Sequence, residues 1–196
     1  VTVLPQNASG YAALCRELTG LHLDPAFRLP DALERLAPGN WLLLPSPRTL
    51  EELLRRFHSP HLVAELVDHG QPHDRARNRA LAGLARRHGL LLAATNQVHF
   101  ATPDECETHR LLAAIRLRGT IGRLGEADTA PADAWLKGEA ELAARFRELP
   151  EAIANTAAIA ERCEFSYPQG ERLHPPFPLP QGETAYSLLW KKAFDG

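Results

Sequence analysis

Two segments, Ala93-Ala94-Thr95-Asn96-Gln97-Val98-His99-Phe100 and, upstream of it, Glu65-Leu66-Val67-Asp68-His69-Gly70, indicate the fold class of this chain. In each segment a short apolar run ends and a histidine follows soon after. A segment with helical spacing lies between the two runs, so the pattern predicts a strand, a helix and a second, parallel strand. Because parallel strands run in one direction, His69 and His99 leave the sheet at the same end, which carries the chemistry in α/β folds.

The rest of the chain extends this unit on both sides. Apolar runs predict strands at residues 1–4, 41–44, 62–67 and 90–94, with helices between them. Thr102-Pro103-Asp104-Glu105 has the form of a capping box with proline at the first helical position. Helices are predicted near residues 138–148, 150–163 and 184–194, and the recurring prolines between 167 and 182 predict an extended linker. The predicted class is therefore α/β with mainly parallel strands.

Composition limits the function classes that need consideration. The chain has 196 residues, of which 44% are hydrophobic and 23% charged, enough for one domain with a real core. Its formal net charge of -2 gives no support to a module that mainly holds duplex DNA. The three widely spaced cysteines favour reduced thiols and a cytoplasmic location. The chain contains no run of about 18 apolar residues, which is the length that would predict a membrane span.

Two groups of basic residues are not interpreted as functional sites. Arg75, Arg77, Arg79, Arg86 and Arg87 could form a nucleic-acid stripe, but a solvated helix face is favoured because Asp74 and other carboxylates balance them locally. Four histidines fall in helical segments and are interpreted as structural: His22, His58, His88 and His109.

The two histidine segments also carry a family resemblance. Asp68-His69-Gly70, followed about 25 residues later by Ala94-Thr95-Asn96-Gln97-Val98-His99, resembles the second half of the PHP domain of bacterial DNA polymerase III alpha subunits and their error-prone paralogues. The resemblance continues through residues 148–163 and through Pro176-Phe177-Pro178-Leu179-Pro180-Gln181-Gly182. It implies a partial PHP-type (β/α) barrel over residues 1–165, and a Pro-rich linker and helix leading towards a polymerase palm and thumb over residues 166–196.

The resemblance also implies a metal site. PHP domains resemble metal-dependent phosphoesterases, in which histidines and carboxylates hold two or three divalent ions, here expected to be Zn²⁺ or Mn²⁺. His69 and His99 match metal-binding histidines of that family, with Asp68 and Asn96 expected to support them. Glu65, inside a strand, could orient a neighbour of the site or could be a polar residue that points into a barrel centre. Gln97 stands where the family has a metal-binding aspartate, and a neutral amide is a weak ligand for a dication. We therefore expect a vestigial site that binds no metal tightly.

By resemblance, this chain is expected to be a fragment of a DNA-directed DNA polymerase used in replication or repair, with an error-prone type favoured. It begins with Val1 and contains no methionine. Its parent is expected to act on DNA and dNTPs, to use Mg²⁺ in a palm outside this chain, and to meet other replication or repair subunits. The fragment itself is expected to be inactive. Relatives with an intact PHP site imply a metal-dependent 3′–5′ exonuclease activity. The fragment is also expected to dimerise through an exposed strand edge. The alternatives are a free-standing PHP-family phosphatase and a purely binding module with no enzyme context.

Overall fold

The computed structural model describes residues 1–166 and 177–195 and contains one four-stranded sheet in that part of the chain. The strand order is β1-β2-β3-β4, so the chain adds each strand beside the previous one. The first pair is antiparallel and the other two are parallel. The strands are β1 (Thr2–Pro5), β2 (Asn40–Leu44), β3 (Leu62–Val67) and β4 (Leu91–Thr95).

Helices connect these strands and continue the chain after them. Eight are found in the described residues: α1 (Ala8–Leu23), α2 (Leu29–Leu36), α3 (Pro47–Arg56), α4 (Asp74–His88), α5 (Cys106–Arg116), α6 (Glu139–Arg145), α7 (Pro150–Glu161) and α8 (Ala185–Asp195). The capping box at Thr102 is present and opens a 3₁₀ turn, Pro103–Glu105, that runs into α5. The segment expected to be a loop at residues 120–131 contains two further 3₁₀ turns, Ile121–Arg123 and Glu126–Asp128.

The sheet is covered on both faces, as its apolar strands require. One face carries the larger core, in which alternate residues of β2, β3 and β4 pack against helical side chains such as Leu33, Leu50, Leu81 and Phe146. The opposite face carries a smaller cluster formed by Trp41, Leu43, Val63, Ala93 and Ile159. β3 is buried at all six positions, which explains its almost uninterrupted apolar sequence.

The first helix is held against the β-sheet by a close backbone approach. Asn7 caps α1 by accepting a hydrogen bond from the backbone of Gly10, 3.0 Å away. A Cβ atom on Gly10 would lie 2.1 Å from the carbonyl oxygen of Gly39, far inside van der Waals contact. Gly39 itself has φ of +87°, a conformation that favours glycine. Both glycines are therefore required for α1 to reach the turn before β2.

The predicted fold class is confirmed as mixed α/β with a mostly parallel sheet. β3 has the predicted bounds, and β4 begins and ends one residue later than predicted. The sheet is open, with β1 and β4 at its two edges, and the described strands do not close into a barrel. At the β4 edge, the side chain of Asn155 donates a hydrogen bond to the backbone carbonyl of Leu92, 2.9 Å away, so α7 occupies part of that edge.

The chain divides into two compact units, Val1–Ser166 and Tyr167–Gly196. In the second unit the structure describes residues 177–195, where α8 packs the rings of Trp190 and Phe194 with their centroids 4.2 Å apart. The carboxylate of Glu183, just before this helix, accepts hydrogen bonds from the side chains of Ser187 and Lys191. Most of the predicted Pro-rich linker, including Pro168, Pro175 and Pro176, lies outside the described residues. No helix in the described part of the chain is long and apolar enough to cross a membrane.

Candidate functional site

The parallel pair β3 and β4 carries the two candidate histidines to one edge of the sheet. The register pairs Val67 with Thr95, the last residue of each strand, so the loops that follow leave side by side. His69 lies two residues after β3 and is half-buried, whereas His99 lies four residues after β4 and is exposed. The predicted juxtaposition of these strand ends is therefore present.

His69 is held by bonds on both its backbone and its ring. Its backbone N–H donates to the carboxylate of Asp74, 2.8 Å away, and its ring Nε2 lies 2.7 Å from the backbone carbonyl oxygen of Asn96. Because a carbonyl can only accept, the ring carries a proton on Nε2 and leaves Nδ1 unprotonated when the imidazole is neutral. In the neutral ring, Nδ1 is therefore the nitrogen that carries the lone pair.

Asp74, which begins α4, organises the loop that holds His69. Its carboxylate accepts from the backbone of His69 and of Gln71, at 2.8 and 3.0 Å, and pairs with Arg77 at 2.7 Å. Burial raises the pKa of Asp74, but the bonds from Gln71 and His69 and the charges of Arg77 and His73 outweigh it, so the pKa lies below its usual range. The loop carboxylate Asp68, by contrast, accepts a hydrogen bond from the backbone of the turn residue Gly70, at 2.8 Å.

His99 lies against a third histidine that the sequence pattern did not select. The ring of His109, on α5, meets the ring of His99 edge to face with centroids 5.4 Å apart. Partial burial of the imidazole, followed by the charges of His109 and His69, lowers the pKa of His99. His109 Nε2 accepts a hydrogen bond from the backbone of Ala130, 3.0 Å away. His109 therefore has a structural bond, as its helical position predicted, but it also belongs to the site.

Glu65 is a buried carboxylate inside β3, with 2% of its surface exposed. Its Oε1 accepts from the hydroxyl of Thr95, 2.7 Å away, while Oε2 is buried without a hydrogen-bond partner in the described structure. Thr95 ends β4, so this contact links the two strands that carry the histidines. Glu65 is therefore placed to support the strand ends rather than to meet solvent.

Asn96 and Gln97, next to each other in sequence, have different surroundings. Asn96 is buried, and its side-chain amide donates to the backbone carbonyls of Asp133 and Trp135, at 3.0 and 2.6 Å. Gln97 is exposed and has φ of +40°, an uncommon conformation for a residue other than glycine. The amide of Asn96 is thus used in holding another segment, and Gln97 marks the sharp turn of the chain after it.

The segment held by Asn96 forms one wall of the site and was not foreseen from the sequence. Phe100 forms a parallel bridge with Trp135, and the backbone of His99 donates to the carbonyl of Ala134 at 2.8 Å. Lys137, whose side chain has 0% exposure, lies 3.2 Å from Oδ1 of Asp133. The bridge and the hydrogen bond extend the strand pairing beyond β4 and fix the backbone of His99.

A second cation joins this wall to the end of β3. Arg145 Nη1 lies 2.7 Å from Oδ2 of Asp133 and donates to the backbone carbonyl of Asp68 at 3.0 Å. Lys137 also lies over the ring of Trp135, 4.3 Å from its centroid. A lysine four residues after an aspartate was the available sequence signal, but this spacing could not show that the lysine is buried or that the helix of Arg145 returns to this loop.

The side chains described at these strand ends do not by themselves form a site for two or three metal ions. Within residues 1–166 and 177–195, no group of three or more His, Cys, Asp or Glu side chains is arranged to hold a metal ion. His69 and His99 supply two imidazoles, Glu65 Oε1 is used by Thr95, and Gln97 offers only an exposed neutral amide. Ions of this kind require four or more ligands, with anionic charge among them.

Comparisons with known proteins found relatives named error-prone DNA polymerase that are similar to most of this chain. No protein-family profile matches the chain. It is 33% identical over 211 residues to an error-prone DNA polymerase of Mycobacterium bovis, covering 95% of this chain and 19% of that protein. Similar proteins from Symbiobacterium thermophilum and Bradyrhizobium diazoefficiens, both named error-prone DNA polymerase, are 32% and 31% identical over 100% and 96% of the chain. The chain therefore spans about a fifth of the length of these curated relatives and is similar to one segment of them along nearly all its own length.

Proposed function

We propose that this chain is a PHP-type segment of a C-family DNA polymerase of the error-prone kind, and that its parent carries out templated DNA synthesis in replication or repair. The observation that carries the proposal is the similarity along 95% of the chain to proteins named error-prone DNA polymerase. The two histidines at neighbouring parallel strand ends support it, because the same residues carry the PHP resemblance. Residues 1–165 are then the PHP part, and residues 166–196 lead towards the palm.

Within that parent, the part played by this segment is structural. The hydrogen bonds of the strand-end loops go to other parts of the segment: Asn96 to the 133–135 backbone, Asp74 to the His69 loop and Glu65 to Thr95. Polar groups paired in this way hold a surface in place. The PHP metal site is proposed to be degenerate, with His69 and His99 remaining and an amide in place of the expected carboxylate. Templated synthesis would depend on Mg²⁺ held in the palm, outside this chain.

Two measurements on the whole gene product test these statements separately. The complete gene is cloned, and primer extension by its purified product is measured with Mg²⁺ and dNTPs. We expect the His69→Asn and His99→Asn variants to keep primer-extension activity, because these residues are not proposed to act in synthesis. A gene product without extension activity that instead hydrolyses small phosphomonoesters would overturn the polymerase assignment in favour of a free-standing phosphatase.

Calorimetric titration of Zn²⁺ or Mn²⁺ into the same full-length protein tests the degenerate site. Weak or no heat from the PHP site is expected, with no difference between wild type and the His69→Asn, His99→Asn double variant. A micromolar or tighter isotherm for two or more ions that the double variant abolishes would contradict the degenerate site. It would leave the polymerase assignment unchanged.

A further inference from the structure

A wide groove in the described structure lies between α4 and the connection from α6 to α7. It has a volume of about 1040 Å³. Five arginines line it, against the two carboxylates of Asp68 and Glu148, and they are Arg75, Arg79, Arg86, Arg145 and Arg147. This concentration of positive charge contrasts with the formal net charge of -2 for the chain. The groove is therefore locally cationic on a chain that is weakly acidic.

Three of these arginines lie in one row along α4. Arg75, Arg79 and Arg86 are separated by four and seven residues, so they share one face of the helix. At 1.5 Å per residue the row spans about 16 Å. All three are exposed, and like charges four residues apart on a helix destabilise it. A row of this length matches a ligand that carries several negative charges in line rather than a single anion.

The charges of this row are not neutralised within the described residues. Arg75, Arg79, Arg86 and Arg147 form no ion pair there, whereas Arg77 pairs with Asp74 and Arg145 pairs with Asp133. Asp74 was the carboxylate expected to balance the arginines of α4, but its side chain is 2% exposed and already engaged by Arg77 and two backbone donors. The arginines of this row are solvated, as the interpretation of α4 expected, but Asp74 does not balance their charge.

The composition of the groove selects the class of partner. Protein interfaces need an apolar or aromatic centre, from which charged residues are depleted. In this groove Ala82 and Phe146 are 5% exposed each, and the more exposed apolar residues include no aromatic ring; they are Pro72, Ala144 and Leu149. Arginine, by contrast, binds phosphate through two parallel N–H donors. The groove also presents no exposed aromatic ring on which bases could stack, as single-strand binding sites commonly do.

We propose that this arginine groove binds the phosphate backbone of nucleic acid without reading its sequence. Backbone contacts of this kind need only cationic donors placed along a strand, which the row on α4 and Arg147 supply. Since bases need not be unstacked, duplex DNA is expected to bind at least as well as a single strand of the same length. The inference uses the groove alone and does not depend on polymerase activity in a parent protein.

The test measures binding of the purified chain to a fluorescein-labelled DNA duplex of about 20 base pairs by anisotropy at several salt concentrations. In the Arg75→Gln, Arg79→Gln, Arg86→Gln variant we expect affinity at low salt to fall at least about tenfold. The slope of log K against log salt should decrease in magnitude by about 2 to 3, since each lost phosphate contact removes nearly one unit. The corresponding three-lysine variant should keep the slope, which separates lost charge from lost fold.

A matched control removes the same charge elsewhere. Arg48, Arg55 and Arg123 are exposed and lie outside the groove, so their replacement by glutamine should leave both affinity and slope nearly unchanged. An equal loss in this control would overturn the proposal, because binding would then follow net charge alone. Absence of duplex binding by the wild-type chain, or tighter binding of labelled poly-glutamate than of the duplex at equal salt, would overturn it as well. The last result would indicate an acidic protein partner.

Discussion

The ring of His69 donates a hydrogen bond from Nε2 to the backbone carbonyl oxygen of Asn96, 2.7 Å away, and so joins the loop after β3 to the loop after β4. Each loop is also held on its other side. Asp74 accepts from the backbone of His69, and the side chain of Asn96 bonds the backbone at Asp133 and Trp135. The imidazole is therefore one member of a continuous polar network along this edge of the sheet.

Replacing His69 by alanine removes the bond between the two loops. We expect the free energy of unfolding to fall by about 1 kcal/mol, the usual net value of one partly buried hydrogen bond. His69→Gln should lose less, because a glutamine amide can donate to the same carbonyl. Urea denaturation measures both, with the exposed His22→Ala as control, expected to change stability by less than about 0.5 kcal/mol. Equal losses in His69→Ala and His22→Ala would contradict the role of the bond.

Asp74 is expected to be the most sensitive carboxylate of the site. Its replacement by alanine leaves two backbone N–H groups without their acceptor and Arg77 without its partner, so we expect a loss of about 2 to 3 kcal/mol in unfolding free energy. Because its pKa in the folded protein lies below the usual 3.8, the stabilisation is complete above that value. It is lost as pH falls through the lower, folded pKa.

Acid denaturation followed by circular dichroism checks this pH dependence. The difference in stability between wild type and Asp74→Asn should be constant above about pH 5 and should shrink as the pH falls below 3.8. Asp104→Asn, an exposed carboxylate of the turn before α5, serves as control. A difference that grows on acidification would have the wrong sign and would refute the assignment.

The parts of this fold that sequence could predict are those in which neighbours along the chain decide the outcome. β3 and the helix after it follow from local periodicity, and the parallel register then places His69 and His99 at one edge. The contacts of His109, Asp133 and Arg145 could not be predicted in this way. They depend on how segments that follow β4 in the sequence return to it, and nothing in the local pattern records that path.

The arginines of α4 illustrate a different limit. Counting charges along the sequence places Asp74 beside Arg75 and Arg77, which indicates local balance. This expectation fails because the side chain of Asp74 is buried and bonds the loop of His69. It is therefore unavailable to pair with the exposed arginines of the row. Sequence gives the number of charges, whereas the direction of each side chain determines which of them remain for a partner.

The ion pair of Lys137 and Asp133 is expected to matter far more than pairs at the surface. Asp133→Ala would leave the fully buried side chain of Lys137 without a counter-charge, so we expect a loss of about 3 kcal/mol in unfolding free energy. Glu107→Ala breaks the exposed pair with Arg110 and should cost less than about 0.5 kcal/mol. Chemical denaturation of the two variants gives the comparison, and similar losses would show that Lys137 does not need this partner.

His61 is expected to make stability depend on pH near neutrality. Burial, followed by the charge of Arg162, lowers its pKa below 6.5, and its Nδ1 lies 2.7 Å from the side-chain nitrogen of Gln6, which donates to it. The unfolded chain therefore binds a proton at higher pH than the folded protein does. Stability should be unaffected well above pH 6.5 and should fall as the pH decreases from that value towards the folded pKa.

Thermal unfolding of wild type and His61→Gln between about pH 5 and 8 measures this contribution. The variant should show a weaker fall in stability on acidification, although His99, with its pKa also lowered, leaves a residual slope. An NMR titration of the imidazole protons should give a pKa for His61 below 6.5 in the folded protein. A pKa above that value would reverse the sign of the expected effect.

The edge of β4 offers a test of the predicted dimerisation. The amide of Asn155 bonds the backbone carbonyl of Leu92, and an unpaired strand edge is a template for another chain. Removing the amide in Asn155→Ala should therefore cost about 1 kcal/mol of stability and increase the dimer fraction in light scattering after size exclusion. Thr156→Ala is the matched control, because that hydroxyl bonds only the backbone of its own helix, at Ile153. If both variants gave the same dimer fraction as wild type across a concentration series, association through the β4 edge would be ruled out.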